Sequence, residues 1–327
     1  MRDIYTKRVN LKPVEYPELL PYKDAIRHSY WVHEEFSGEL NSDVQDFHTQ
    51  LTSQEKRVVQ KAMLAIAQIE ANVKNFWGDM YKHLPKPEIA DVGYTFAESE
   101  VRHSDAYSAL LELLGLNSEF EKIKDIPAIQ DRIDYLTESV SGGSSEDKQE
   151  YAMAVLLFSV FIEHVSLFSQ FLIMMAFNRN KGLLKGISNV VEATSKEEQI
   201  HGEFGLTIIN IIKQERPEWF NKEFEQTVVN ACKKAYKAEN KILDWIYDEG
   251  DVDVIPKHVV QEYLKDRFNK ALQNVGIEGL FETDDAILEQ TFWFDEEVLS
   301  SAHVDFFHKR PTSYSKNNKS FSAQELF

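Results

Sequence analysis

The sequence predicts an all-α fold: a bundle of long helices with extra helices packed around it and a polar C-terminal tail that reads as mobile. Three observations carry that expectation. Thirteen glycines and nine prolines are spread thinly over 327 residues, so chain breaks are few. Apolar residues recur at steps of three and four along most of the chain, the period of a helix with one buried face. No strand-length run alternates cleanly with period two, and there is no internal repeat of solenoid length.

The elements follow in order. The first 45 residues are mixed, with aromatic side chains at Tyr30, Trp31 and Phe36. Thr52 with Glu55 makes a capping-box pattern that opens a helix running to about residue 83, where Pro85 stops it. A second helix is expected over about 89–114, ended by Gly115, and a third over roughly 127–140, ahead of a flexible loop at Gly142, Gly143, Ser144 and Ser145. An apolar helix at 152–177 comes next. After a short break at 178–182, a long helix covers about 183–214, and two more lie near 224–247 and 258–275. From about Arg310 the chain turns polar, so residues 1–309 read as one domain and 310–327 as its tail.

Composition narrows the function. The net charge of −18, from 36 basic and 54 acidic residues, argues against nucleic acid or an anionic membrane as a partner, because both demand a positive face. A single cysteine, Cys232, excludes an internal disulfide or a paired-thiol redox motif and suits a reducing compartment. The N-terminal segment has no apolar signal core, so a cytoplasmic location is expected. The stretch 152–177 is apolar enough to suggest a membrane span, but Glu163, His164 and Gln170 within it favour a buried core helix.

The informative feature is where certain acids fall. In the first long helix the buried stripe runs Val59, Met63, Ile66, Glu70, Val73, Trp77. In the second, Phe96, Glu100, His103, Tyr107, Leu110 and Leu114 share one face. Glu163 has almost continuous apolar flanks. The later long helix reads Ile187, Val191, Thr194, Glu198, His201, Gly205, Ile208. A lone buried carboxylate costs several kcal/mol even after relaxation, and four facing one core would repel each other. Two divalent cations supply four positive charges, which balance Glu70, Glu100, Glu163 and Glu198, while His103 and His201 add neutral nitrogen ligands. Each Glu-x-x-His pair sits one turn apart on one side of its helix and can clasp one ion, with Glu70 and Glu163 completing or bridging the site. Di-iron and di-manganese four-helix bundles use this arrangement. Oxygen-rich ligation with one imidazole per ion favours iron or manganese over zinc. Off the stripe, Glu98 and Glu203 read as solvated, and His164 as a hydrogen-bonded core or interface histidine.

At these residues the sequence resembles the small, radical-generating subunit of class I ribonucleotide reductases, from Trp31 to the C-terminal tail. The strongest match is Glu100-Val-Arg-His103-Ser-Asp-Ala-Tyr107; the second is Glu198-Gln-Ile-His201, with Glu70 and Glu163 in the family's order. The resemblance implies a ferritin-like bundle, a homodimer, and transfer of an oxidising equivalent to a large subunit that reduces the ribose. With Cys232 alone, this chain cannot supply both a thiyl radical and a dithiol, so that partner is required. Tyr107 matches the tyrosine that holds a stable radical, in an apolar pocket that Leu167 and Phe171 help form. Trp31 matches the tryptophan of the transfer route, and Tyr314 the tyrosine that continues it on the tail, where Phe321, Leu326 and Phe327 suit a docking peptide.

Two departures bear on the metal. Glu197 stands where many members have an aspartate linking the tryptophan to the metal-bound histidine. Glu70 stands where the iron-tyrosyl subgroup has aspartate, with Lys74 one turn on and within reach of the ligand shell. Both features resemble manganese-using subgroups, so Mn/Mn is expected ahead of Fe/Fe with a Tyr107 radical, or Mn/Fe. The rivals are a related di-metal oxidase or monooxygenase, and a ferritin-like metal store; neither needs the tail tyrosine or the docking peptide.

Overall fold

The structure is a computed structural model and describes residues 2–71 and 73–300, the last two by their backbone alone. Among these residues every regular element is helical. The principal ones are α1 (Leu20–His28), α2 (Ser37–Thr49), α3 (Ser53–Glu70), α4 (Lys74–His83), α5 (Pro87–Leu113), the single turn α6 (Asn117–Phe120), α7 (Pro127–Val140), α8 (Lys148–Leu157), a π segment (Phe158–Ser166), α9 (Phe168–Lys181), α10 (Lys185–Glu215), α11 (Lys222–Ile246) and α12 (Lys257–Gln273), with shorter turns between and after them. Tyr314 and the proposed tail lie outside the described residues.

Four long elements make the centre: α3 packs on α5 and α9, and α10 packs on α5, α9 and the π segment. Helices α1 and α2 cover α10, α4 lies along α5, and α11 and α12 close the opposite side. The ferritin-like bundle with extra helices is therefore what the chain forms.

Local chemistry explains the boundaries. The Thr52 hydroxyl accepts from the Glu55 amide at 3.2 Å and the Glu55 carboxylate accepts from the Thr52 amide at 2.9 Å, so the capping box closes in both directions. Proline opens α5, Gly115 follows its end with φ +70°, and Gly182 ends α9 with φ +65°. The loop expected at 142–145 is instead a tight 3-10 turn over Ser141–Ser144.

Two further differences matter for the site. The helix expected over 53–83 is two helices, because α3 stops at Glu70 and α4 starts at Lys74. The Lys74 ammonium donates to the Ala71 carbonyl at 3.3 Å, and so satisfies an acceptor that the helix end leaves without an intrahelical partner. The apolar helix runs from Lys148 to Lys181 but changes to π geometry around Glu163. It is long and apolar enough to cross a membrane, yet 94% of its most apolar window is buried inside the fold, as Glu163, His164 and Gln170 implied.

Candidate metal centre

The four central elements each deliver carboxylate or imidazole to one point. Glu70 is the last residue of α3, Glu100 and His103 lie within α5, Glu163 lies in the π segment, and Glu198 and His201 lie within α10. All six are buried. Their ligand atoms form two overlapping quartets, Glu70–Glu100–His103–Glu198 and Glu100–Glu163–Glu198–His201, each with its atoms within 4.8 Å of one another. His103 Nδ1 lies 2.9 Å from Glu198, 3.3 Å from Glu100 and 3.8 Å from Glu70. His201 Nδ1 lies 3.0 Å from Glu100, 3.3 Å from Glu198 and 3.7 Å from Glu163. Each Glu-x-x-His pair thus serves one quartet. Glu70 and Glu163 complete one quartet apiece, and the shared positions belong to Glu100 and Glu198.

Surrounding groups fix which imidazole nitrogen faces inward. Ser99 gives its hydroxyl proton to the Phe96 carbonyl at 2.8 Å, so its oxygen accepts from His201 Nε2 at 2.9 Å. His103 Nε2 donates to Glu197 at 2.8 Å. Both Nδ1 atoms therefore point at the carboxylates, the orientation a metal-ligating histidine takes when its other nitrogen donates outward. Trp77 Nε1 donates to Glu163 Oε1 at 3.1 Å.

The donor set fits a pair of cations. Both oxygens of Glu70 and of Glu100, one of Glu198 and Nδ1 of His103 are buried without a hydrogen-bond partner. Each such atom costs about 1–3 kcal/mol, so six of them at one point mark a place where something else completes their coordination. Protonation tells the same story. Burial, then neighbouring carboxylates, pushes Glu70 and Glu163 well above the ordinary carboxylate range, although His103 beside Glu70 and His201 beside Glu163 pull the other way. Burial opposes charge on His103 and His201, but the surrounding carboxylates raise both well above the usual imidazole range. The close approach of Glu163, His103 and His201 outweighs burial at Glu198 and holds it well below.

The remaining sequence candidates fall as follows. Glu197 is fully buried and grips Arg102, with contacts of 3.2 Å from each terminal guanidinium nitrogen, and also accepts from Ser29 at 3.3 Å. Trp31 stacks on His103 with ring centres 5.8 Å apart and planes 20° apart; its indole N–H is buried and, among the described residues, donates to nothing. Of the expected relay, His103 to Glu197 is present, whereas Glu197 to Trp31 is not. Arg102 has taken that side of the carboxylate and donates to the Trp31 carbonyl instead. Tyr107 is buried on the ligand helix, and among the described residues its hydroxyl makes no well-formed hydrogen bond; burial and the charge of Glu70 push it well above the phenol range, against the opposing Thr194 hydroxyl. Leu167 and Phe171 are buried as expected. Lys74 stays outside the ligand cluster: its ammonium meets Ala71 and, at 3.1 Å, the Ser104 hydroxyl, not the Glu70 carboxylate. His164 is a core histidine that burial, followed by the charge of Arg267, lowers to about 3. Ser99, Trp77 and Arg102 were not read as site residues. A tryptophan two turns beyond the stripe position of Glu70 is the signal that could have found Trp77, since a buried indole N–H needs an acceptor.

Fold and site together define a dinuclear carboxylate–histidine metal protein on a helical bundle. The family model described as "Ribonucleotide reductase, small chain" matches residues 8–290, and the chain belongs to that family. It is the small subunit of a ribonucleoside-diphosphate reductase, an enzyme whose small subunit works with a large one. The match begins before Trp31 and ends ahead of the tail. Similar proteins include the "Probable ribonucleoside-diphosphate reductase small subunit 048L" of Invertebrate iridescent virus 3, 24% identical over 94% of this chain and 85% of its own. The ribonucleoside-diphosphate reductase subunit beta of Chlamydia pneumoniae is 23% identical over 94% and 92%. The solved dimanganese(II) NrdF of Streptococcus sanguinis shares the fold with a TM-score of 0.74 at 19% identity, over 86% of this chain and 97% of that one.

Proposed function

We propose that this small subunit holds its oxidising equivalent at a dimanganese pair and passes it through Trp31, and then Tyr314, to the large subunit. The observation that carries this reading is the overlap of the two quartets at Glu100 and Glu198. Glu100 and Glu198, common to both quartets, would help hold both ions, with one imidazole for each, a donor set suited to iron or manganese. Glu70 in place of the iron subgroup's aspartate supports manganese, as does likeness to a protein whose solved form is dimanganese(II). The second reading, Fe/Fe or Mn/Fe with the equivalent on Tyr107, draws on the burial of that tyrosine on the ligand helix.

When bound, the ion pair supplies the one-electron chemistry that side chains alone lack. The chain's own groups do the rest. Ser99 and Glu197 orient the two imidazoles. Phe96, with ring centres 4.3 Å from His201, and Trp77 and Phe204 beside it wall that side from water. Tyr107, buried and raised above the phenol range, holds its proton. Arg102 neutralises Glu197, so that the carboxylate accepts from His103 without adding charge to the cluster.

Residues 1–309 form the metal-bearing domain of a homodimer, and 310–327 dock on the large subunit through Phe321, Leu326 and Phe327. Truncation after Arg310 tests this part: ribonucleotide reduction with the large subunit should vanish while metal binding persists. Retained reduction refutes the tail's role. Metal analysis with electron paramagnetic resonance on protein from its native source tests the choice of manganese; two irons and a tyrosyl signal favour the second reading.

A further inference from the structure

Glu163 is the one ligand carried on π geometry, and such geometry shifts the main-chain hydrogen-bond pattern around it. Carbonyls on both sides of it accept side-chain donors. The Ser166 hydroxyl donates to the Phe161 carbonyl at 2.8 Å, and Arg132, from α7, donates to the Ser166 carbonyl at 2.8 Å. Arg267, from α12, donates to the His164 carbonyl through Nε at 2.9 Å and also through Nη2.

The two arginines differ in one respect. Arg132 is paired with Glu239, an ordinary buried ion pair. Arg267 is almost fully buried, and among the described residues no carboxylate pairs with it. Its guanidinium lies 3.8 Å over the Phe168 ring and makes one long contact, 3.5 Å, with Gln199. A buried unpaired cation is costly, and here its strong hydrogen bonds go to the carbonyl of the residue after Glu163. Helix α10 allows the segment close approach. A Cβ on Gly202 would sit 2.6 Å from the His164 ring, and one on Gly205 would overlap Ser159.

We infer that Arg267 is a positioning residue for the metal centre: by holding the His164 carbonyl it fixes the π segment so that Glu163 meets the second quartet. The inference rests on the dinuclear reading above. Arg267 touches no member of the quartet Glu70–Glu100–His103–Glu198, and its one contact with α10, which carries the shared Glu198, is the long one to Gln199, so its main effect falls on the ion that Glu163 serves.

The test compares wild-type protein with Arg267→Met and Arg267→Lys, each loaded with Mn(II) alone. Metal content, stepwise affinities and electron paramagnetic resonance are measured. Wild type should hold two ions per chain with a spin-coupled signal; a wild type that never binds two refutes the dinuclear reading itself. Given two, Arg267→Met should weaken the second ion roughly 10–100-fold and the first less than about twofold, with the spectrum moving toward an isolated ion. Lysine, which restores one donor, should recover most of that loss. Two equally tight ions in Arg267→Met, or parallel weakening of both, overturns the inference. Should the methionine variant not fold, Arg267→Gln, which removes the guanidinium but stays polar, is decided on the same two affinities: a loss confined to the second ion supports the inference, and wild-type affinities at both or parallel weakening of both overturn it.

Discussion

Sharing of Glu100 between both quartets makes a prediction that separates it from Glu70, which serves one. With free Mn(II) about a thousand times the dissociation constant of each site, binding stabilises the folded chain by about 4.1 kcal/mol per ion, or about 8 kcal/mol for two. A chain of 327 residues unfolds with an entropy of roughly 0.7 kcal/mol/K, so the pair should raise Tm by about 12 °C. Take the loss of one carboxylate to weaken a site about a thousandfold, about 4.1 kcal/mol. Glu70→Ala then spoils one site and keeps a rise of roughly 6 °C, whereas Glu100→Ala spoils both and keeps about 1 °C. The apo forms should move the other way, because each substitution removes a buried carboxylate from a cluster where several atoms are unpartnered. Differential scanning calorimetry with and without Mn(II), alongside metal content, reads all four quantities. Equal metal-dependent rises in the two variants would refute the shared role of Glu100.

Three further predictions follow from the same geometry. The raised values at Glu70, Glu163, His103 and His201 stabilise the apo fold below their unfolded values and lose that contribution as pH climbs through the folded ones; lowered Glu198 runs the opposite way, four groups against one. The Mn(II)-dependent rise in Tm should therefore grow between pH 5 and pH 8, since ions displace those protons, and a rise that shrinks over this range contradicts the assignment. Arg132→Met, which strands buried Glu239, should cost about 3–5 kcal/mol in urea unfolding, and Arg132→Met with Glu239→Gln distinctly less. Gly202→Ala drives a methyl into the His164 ring and should cost about 1–3 kcal/mol by the same measurement.

The sequence made some of this legible and hid the rest for physical reasons. Glu70, Glu100, Glu198 and both histidines were readable because α3, α5 and α10 have apolar stripes with a clear phase, against which a charged residue stands out. Glu163 was readable as an acid among apolar neighbours, but its π geometry was not, since a helix apolar on every side carries no phase to be broken. The end of α3 at Glu70 was hidden because Lys74 supplies the capping donor from the following helix, without a glycine or proline to announce it. That Glu100 and Glu198 belong to both quartets depends on how the helices approach one another, which no single helix encodes. Arg102 carried no signal in the sequence, because its partner Glu197 lies on another helix and only the fold brings the two together.

The departure at Glu197 has the deepest consequence. A carboxylate that accepts from His103, from two nitrogens of Arg102 and from Ser29 has no geometry left for the Trp31 indole, whose N–H is indeed unpartnered. Trp31 is joined to the centre by its stack on His103 and through its own carbonyl to Arg102. A double-mutant cycle decides between stack and hydrogen bond. Glu197→Gln should itself be costly, about 3–5 kcal/mol, because it leaves buried Arg102 with too little negative charge. Trp31→Phe keeps a ring on His103 and removes an N–H that bonds nothing, so its cost should be the same, within about 0.5 kcal/mol, in either background. An indole hydrogen bond to the Glu197 carboxylate would instead appear as a coupling of about 1.5–3 kcal/mol. A coupling of that size restores the three-membered relay, and a value near zero leaves the ring stack as the contact through which Trp31 meets the metal site.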